Sequence, residues 1–286
     1  MDPSIAQFTK GERPRPASVI APLLYLASCP DVPFSYVGLP PPGMPADNCE
    51  YVARPVLIHD ARDGAGFLDL ERNGFELWHA PSSVRDFLDE EEVESRYVPE
   101  LVELVLSATG GATAHVFDTL LRRCEPGRPP MTLGGRSGPF ARPAGRVHVD
   151  YTEGSGASRY GKVLQGRPDP GRFAIVNVWR SIGPAPVLDT PLALCDARSV
   201  RPGDLVATEL RYPGRTGEIS LVRYRPEHRW SYVSEMRRDE VLLFKQYDSD
   251  LEVARFVPHA AFDHPAVPAD APPRQSIEAR VLVTFR

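Results

Sequence analysis

The chain has 286 residues, 42% hydrophobic and 25% charged, and a net charge of −5. That length can bury a sizeable core in one large domain or two small ones, and the mild acidity leaves no basic footprint for nucleic acid or anionic membranes. The 31 prolines and 22 glycines favour turns and short strands over long helices.

Four dispersed cysteines (Cys29, Cys49, Cys124, Cys195) form no CxxC pair, which argues against a zinc ribbon and a disulfide-stapled domain. The N-terminus lacks a charged segment followed by an apolar core, and no apolar run approaches a membrane span. A cytoplasmic protein with neither membrane nor nucleic-acid partner is the expectation.

Residues 1–16 are polar and proline-punctuated and read as an arm, leaving 17–286 as one domain. Val19 to Tyr36 is a mixed apolar stretch that leads into the turn region GLPPPGMPADN. Val56 to His59 reads as a short buried strand, and Gly66 to Leu77 as another strand or a turn. Helix concentrates between Ser82 and Gly110. Ser82 or Ser83 can cap VRDFLDEEEVESR, whose acidic residues suit a helix N-terminal half. Pro99 opens ELVELVLSATGG, an amphipathic helix with a glycine stop. Thr113 to Arg123 reads as a second helix, completing a helical scaffold over 82–123. Glu125 to Gly145, with five prolines and five glycines and no period, is a long loop suited to a lid over a site or to a plain connector.

After Gly145 short β-type runs recur: VHVDY, FAIVNVWR, LALCDA, LVATELRY, WSYVSE, VLLFKQY, ARFVPHAAF and SIEARVLVTF. Strands without intervening helices point to a barrel or two-sheet jelly roll, so the fold class is mainly β with flanking helices. In a strand, His148 and Asp150 of GRVHVDYTEGSGASR face the same way. Imidazole and carboxylate together suit Fe(II), and a second histidine would complete a two-His-one-carboxylate triad with open positions. His259 and His264 are both candidates for it. Arg274 and Ser276, two apart, can grip a carboxylate by a bidentate pair and a hydroxyl bond, though a surface turn would also accommodate them. The ordered set HxD, His, RxS fits a 2-oxoglutarate-dependent oxygenase using Fe(II), 2-oxoglutarate and O2.

The blocks LIHDAR, LERNGFEL and HVFDTLLRR, then NVWRSIGPAPVLDTPLALCDARSV, EVLLFKQYDS and VPHAAFDHPAVPADAPPRQSIEARVLV, spread over most of the chain. They resemble the family that groups fungal gibberellin-desaturase-like and AsaB-like hydroxylase/desaturases with the cephamycin 7α-methoxylation protein. The resemblance implies a double-stranded β-helix (jelly-roll, cupin-like) core, non-haem Fe(II) with 2-oxoglutarate, and a role in secondary-metabolite biosynthesis. Carried over residue by residue, His148, Asp150 and His259 match the iron-ligand positions, and Arg274 with Ser276 the cosubstrate anchor. The His-Ala-Ala-Phe context favours His259, while His264 stands ten residues ahead of Arg274, a spacing that plant-type relatives use. The long interval from Asp150 to His259 implies an insertion around Asp204 to Trp230.

Within this resemblance the outcome is hydroxylation, desaturation or ring closure, aziridine formation from an amino-acid precursor included. Because the cephamycin relative acts with a methyltransferase, a non-catalytic accessory subunit retaining the fold is the competing reading. A cupin-like isomerase or dioxygenase without 2-oxoglutarate would dispense with Arg274 and Ser276.

Further candidates are weaker. Asn177 and Trp179 share a strand face opposite Arg180, and could touch 2-oxoglutarate or substrate or serve the core. Tyr151, Arg159, Lys245, Gln246 and Tyr247 could contact substrate, with an edge strand and a solvated Lys245 as the alternative. Arg136, Arg142, Arg146 and Arg159 would suit an amino-acid-derived or carboxylate-bearing small molecule, or simply be solvated. Asp196 and Arg198 read as a structural ion pair. His115 and Asp118, at helical spacing, read as surface residues, and His59, Asp60 and His79 as structural. A homodimer is compatible with the sequence. No GxSxG, Walker-type loop, dinucleotide fingerprint or HExxH occurs.

Overall fold

In the computed structural model, which describes residues 17–63, 68–124, 136–137, 140–165 and 171–286, valine-, isoleucine- and aromatic-rich runs pair into strands almost from end to end. In chain order these are β1 (Ser18–Ser28), β2 (Phe34–Tyr36), β3 (Glu50–Asp60) and β4 (Phe75–His79). A one-turn α1 (Glu90–Glu92), a π-helical stretch (Val93–Tyr97) and α2 (Val98–Thr109) follow. Then come β5 (Thr113–Arg123), β6 (Arg136–Ser137), β7 (Phe140–Ala141), β8 (His148–Val149) and α3 (Glu153–Leu164). The remainder is β9 (Phe173–Ser181), β10 (Leu192–Cys195), β11 (Leu205–Tyr212), β12 (Arg215–Val222), β13 (Trp230–Tyr232), β14 (Glu240–Asp248), β15 (His259–Ala261) and β16 (Gln275–Thr284). The 1–16 arm and most of the candidate lid lie outside the described residues.

Among the described residues the strands form two sheets, β1-β3-β13-β10-β15-β8-β12-β11-β2 and β4-β14-β9-β16-β5-β7-β6. Trp179, Leu242 and Phe244 of the seven-stranded sheet share a core with Leu192 and Leu194 of the nine-stranded one, so the two pack face to face as a jelly roll. The seven-stranded sheet is covered on its other face as well. Tyr97, Leu101 and Val105 pack there against Val176, Val178, Val241, Leu243 and the odd-numbered residues Ile277 to Val283. Burial on both faces explains why every residue of β14 is buried. Lys245 is therefore on an interior strand, not a solvated edge. The end of the nine-stranded sheet holding β1 rolls back, with bridges Leu24–Arg146 and Leu26–Arg223, around a second core of Tyr25, Trp230 and Phe262.

Three readings of local structure need correction. Thr113–Arg123 is a strand, antiparallel to β16. Its register slips beside Phe117: Arg280 pairs with Asp118, but Val281 with Val116. Ala114 and Val116 before the bulge and Leu121 after it therefore face the same core, and this broken parity imitates a helical pattern. His115 and Asp118 accordingly sit on a strand. Secondly, Ser82 and Ser83 cap no helix; their hydroxyls donate to Glu100, and Asp89 is the N-cap. Val84 and Phe87 turn into the core, and Glu92 accepts the backbone N–H groups of Arg85 and Asp86, which closes a turn there.

Thirdly, the glycine-rich tail after Asp150 is a helix, α3. Thr152 and Ser155 form a capping box at its start. Gly156 lets it lie on Tyr247, whose ring a Cβ would meet at 2.3 Å. Elsewhere Pro99 and the left-handed Gly110 bound α2 as expected, and VLIH lies inside β3. The interval read as an insertion forms the β11–β12 hairpin, in which Leu221 pairs with His148.

Candidate metal centre

The short strands β8 and β15 are paired, with His148 opposite His259. Their rings lie 4.3 Å apart between centroids. Both Nδ1 atoms turn away from the centre, His148 to the Arg146 carbonyl at 2.8 Å and His259 to the Val257 carbonyl at 3.3 Å. Those bonds set Nδ1–H as donor and leave each Nε2 lone pair free for a metal. Asp150 Oδ1 lies 3.5 Å from His148 Nε2. One ligand atom from each of His148, Asp150 and His259 falls within 4.8 Å of the others. Two imidazole nitrogens and one carboxylate oxygen fit non-haem Fe(II).

The opposite sheet holds the carboxylate. Asn177 Nδ2 and Arg280 Nε both donate to Asp150 Oδ2, at 2.9 Å each. Gln246 reaches across from β14: its Oε1 accepts the Asp150 N–H at 2.7 Å, and its Nε2 donates to the Val257 carbonyl at 3.0 Å. Gln246 thus fixes the backbone of both ligand segments. Burial works against the Asp150 charge, but the Arg280 guanidinium and the nearby histidines hold its carboxyl well below the usual carboxylate range. Burial, with His148 alongside, pushes His259 down to about 3, so it is a neutral donor at physiological pH.

Beside the triad runs a cleft lined by Arg122, His148, Trp179, Leu192, His259, Arg274 and Glu278. Arg274 is buried, lies over the Trp179 ring at 5.4 Å, and donates Nη1 to the Thr190 carbonyl at 2.6 Å. Among the described residues, Arg274 Nε, Ser276 Oγ and Trp179 Nε1 are buried with no hydrogen-bond partner. Burial pulls the Arg274 guanidinium down to about 10. Buried donors left unpaired are costly, and a bound carboxylate would satisfy them. These donors therefore fit a carboxylate such as that of 2-oxoglutarate, at the end of a cleft that is narrow, about 10 Å³, in this structure.

A matching family model, described as an Oxidoreductase/YMDC permease-like domain, covers residues 23–284. The Fe(II)/2-oxoglutarate-dependent dioxygenase nvfI of Aspergillus novofumigatus is 33% identical over 85% of this chain and 88% of its own. The hydroxylase/desaturase efuI of Hormonema carpetanum is 33% identical over 82% of this chain and 84% of its own. A solved structure of the iron and alpha-ketoglutarate-dependent endoperoxidase NvfI superposes with a TM-score of 0.83, 30% identity, and coverage of 94% of this chain and 98% of that one. The chain belongs to the family of Fe(II)/2-oxoglutarate-dependent oxygenases. It is an oxidoreductase with the jelly-roll core of that class, and its cofactors are Fe(II), 2-oxoglutarate and O2.

Within this oxygenase the remaining candidates divide. His264 lies outside the cluster, its Nε2 3.2 Å from the Tyr232 hydroxyl. Asn177 donates to Asp150, and Trp179 lines the cleft beside the triad. Lys245 does not face the cleft: its Nζ is buried, paired with Asp248 at 2.7 Å and Glu71 at 2.9 Å. Arg146 is withdrawn into a pair with Asp47 at 2.7 Å, and the side chain of Arg136 lies outside the described residues. Asp196 and Arg198 do form an ion pair, at 2.7 Å. Tyr151 and Arg159 line a second cavity, of about 520 Å³, together with Asp150, Lys162, Arg215 and Arg280. Arg280 and Glu278 were missed in the sequence, although the alternation Arg274, Ser276, Glu278, Arg280 puts all four on one strand face. No helix among the described residues is long and apolar enough to cross a membrane.

Proposed function

We propose that His148, Asp150 and His259 are the iron ligands of this oxygenase and that Arg274 and Ser276, with Trp179 Nε1, anchor 2-oxoglutarate. The observation that carries this reading is the convergence of the three ligand atoms within 4.8 Å, beside a cleft whose buried guanidinium and hydroxyl have donors to spare. The unpaired anchor also favours a 2-oxoglutarate enzyme over a cupin-like isomerase, and an intact ligand set favours catalysis over an accessory role.

When bound, Fe(II) and 2-oxoglutarate together supply the oxidising power of O2 for attack on an unactivated C–H bond. The chain's own residues do the positioning. The Arg146 and Val257 carbonyls orient the imidazoles, Gln246 and Asn177 orient Asp150, and Arg274 fixes the remote carboxylate of the cosubstrate. Leu192, Ala261 and Trp179 wall the cleft with apolar surface that keeps water off it. The substrate is a small molecule, and we place it in the cavity on the Asp150 side. Arg159 and Lys162 on one face of α3, and Arg215 from the hairpin, suit a carboxylate-bearing substrate, such as one derived from an amino acid. Hydroxylation, desaturation or ring closure would each begin at the C–H held nearest the metal.

Anaerobic Fe(II) protein should develop the weak visible charge-transfer band on adding 2-oxoglutarate. Wild-type protein without that band would overturn the reading. Arg159→Ala should weaken binding of a carboxylate substrate and leave the band intact.

A further inference from the structure

Arg280 stands at the meeting point of three carboxylates. Its Nε donates to Asp150 Oδ2 at 2.9 Å, its Nη2 to Glu278 Oε1 at 3.1 Å, and its Nη1 to Asp118. The arrangement follows from strand register: on β16 Glu278 and Arg280 alternate onto the inner face, with Asp118 opposite Arg280 on β5 and Asn177 opposite it on β9. Asp150 and Glu278 are nearly dry, with side chains 10% and 3% exposed, and Arg280 is 17% exposed. One guanidinium is thus shared among three carboxylates, two of them nearly dry.

We propose that Arg280 is the positioning residue that makes Asp150 a one-oxygen ligand and sets the metal affinity of the site. Both donors to Asp150, Asn177 Nδ2 and Arg280 Nε, converge on the same oxygen, Oδ2. That oxygen is turned toward the seven-stranded sheet, and Oδ1 alone is presented beside His148 Nε2. A carboxylate that binds through one oxygen leaves an additional coordination position open, which an enzyme that must accommodate both 2-oxoglutarate and O2 requires. Asn177 alone cannot do this, because a neutral amide offers neither a charge-assisted hydrogen bond nor a second tether to the strand. The guanidinium does both, and its bonds to Glu278 and Asp118 fix its plane.

This inference rests on Asp150 being a metal ligand, so its test separates the two. The full-length apo-protein is titrated with Co(II) under anaerobic conditions and read by its d–d absorption, with thermal melting as a folding control. Arg280→Gln should bind Co(II) about 10–100-fold more weakly than wild type, the usual effect of losing a partner of a metal ligand. Arg280→Lys keeps the charge and guards against a failure of the Gln variant to fold. Its ammonium lacks the planar guanidinium fork that fixes the orientation of Asp150 Oδ2, so it should bind more weakly and show a weaker, shifted d–d band as Asp150 swings to two-oxygen binding. Folded Arg280→Gln and Arg280→Lys proteins with wild-type affinity and spectrum would overturn the proposal. Asp150→Ala should lose Co(II) binding outright, and wild-type affinity there would instead overturn the ligand assignment.

Discussion

At the scale of the residue, the site is legible wherever side chains alternate along one strand. His148 and Asp150 two apart, and Arg274 and Ser276 two apart, each disclose a shared face because the strand period is two. What periodicity does not reveal is who meets whom across the sheets. Gln246 stands at a register slip in β14, where Lys245 pairs with Val176 but Tyr247 with Ile175, and only the fold brings it to Asp150. The choice between His259 and His264 is likewise a matter of placement. His259→Ala should abolish metal binding to the apo-protein, whereas His264→Ala should retain it, since that ring meets Tyr232, Phe262 and the Ala266 N–H, away from the triad. Retention in the first variant with loss in the second, followed by calorimetric metal titration, would reverse the assignment. Arg274→Ala should raise the dissociation constant for 2-oxoglutarate roughly 10–150-fold, corresponding to about 1.5–3 kcal/mol for hydrogen bonds to a charged group. Metal affinity without cosubstrate should not change, because the Arg274 guanidinium bonds to the Thr190 carbonyl and not to the triad.

At the scale of the element, the misreadings share a cause. A bulge at Phe117 switches the parity of β5, and three glycines disguise α3, whose helix is fixed by a capping box and by contact with Tyr247 more than by propensity. Gly156 is what lets the helix approach. At Gly156 a methyl group would meet Tyr247 Cδ2 at 2.3 Å, in a ring already packed on Phe173 and Phe256. Gly156→Ala should therefore destabilise the fold by about 1–3 kcal/mol despite alanine's better helix propensity. Chemical denaturation would show it, and a stability equal to or above wild type would mean that α3 can shift off Tyr247. Because α3 begins three residues after Asp150 and carries Arg159, such a shift should also weaken substrate binding before it affects the cosubstrate.

At the scale of the molecule, the two sheets must be locked together for the triad on one to be held by residues of the other. Part of that lock is the buried ion cluster below the metal centre. Asp248, its side chain fully buried, accepts from Lys245 Nζ at 2.7 Å and from Arg172 Nη2 at 2.8 Å, while Glu71 accepts from both cations. Lys245 immediately precedes Gln246, so the cluster pins the strand segment that reaches Asp150. Burial opposes the Asp248 charge, but Arg172 and Lys245 outweigh it and hold the carboxyl below its ordinary value. A carboxylate with a depressed folded-state pKa contributes stability that is complete above its unfolded value, about 3.9, and is lost as pH falls through the folded value. Asp248→Asn leaves a buried ammonium with only the half-exposed Glu71, so it should cost about 3 kcal/mol at pH 7. The gap between variant and wild type should stay level from pH 8 to about 5 and close below about pH 4, as the wild-type carboxyl takes up its proton. Urea unfolding at pH 7 and pH 3 measures both ends of that curve, and a gap that is as wide in acid would show that the loss is one of packing and not of charge.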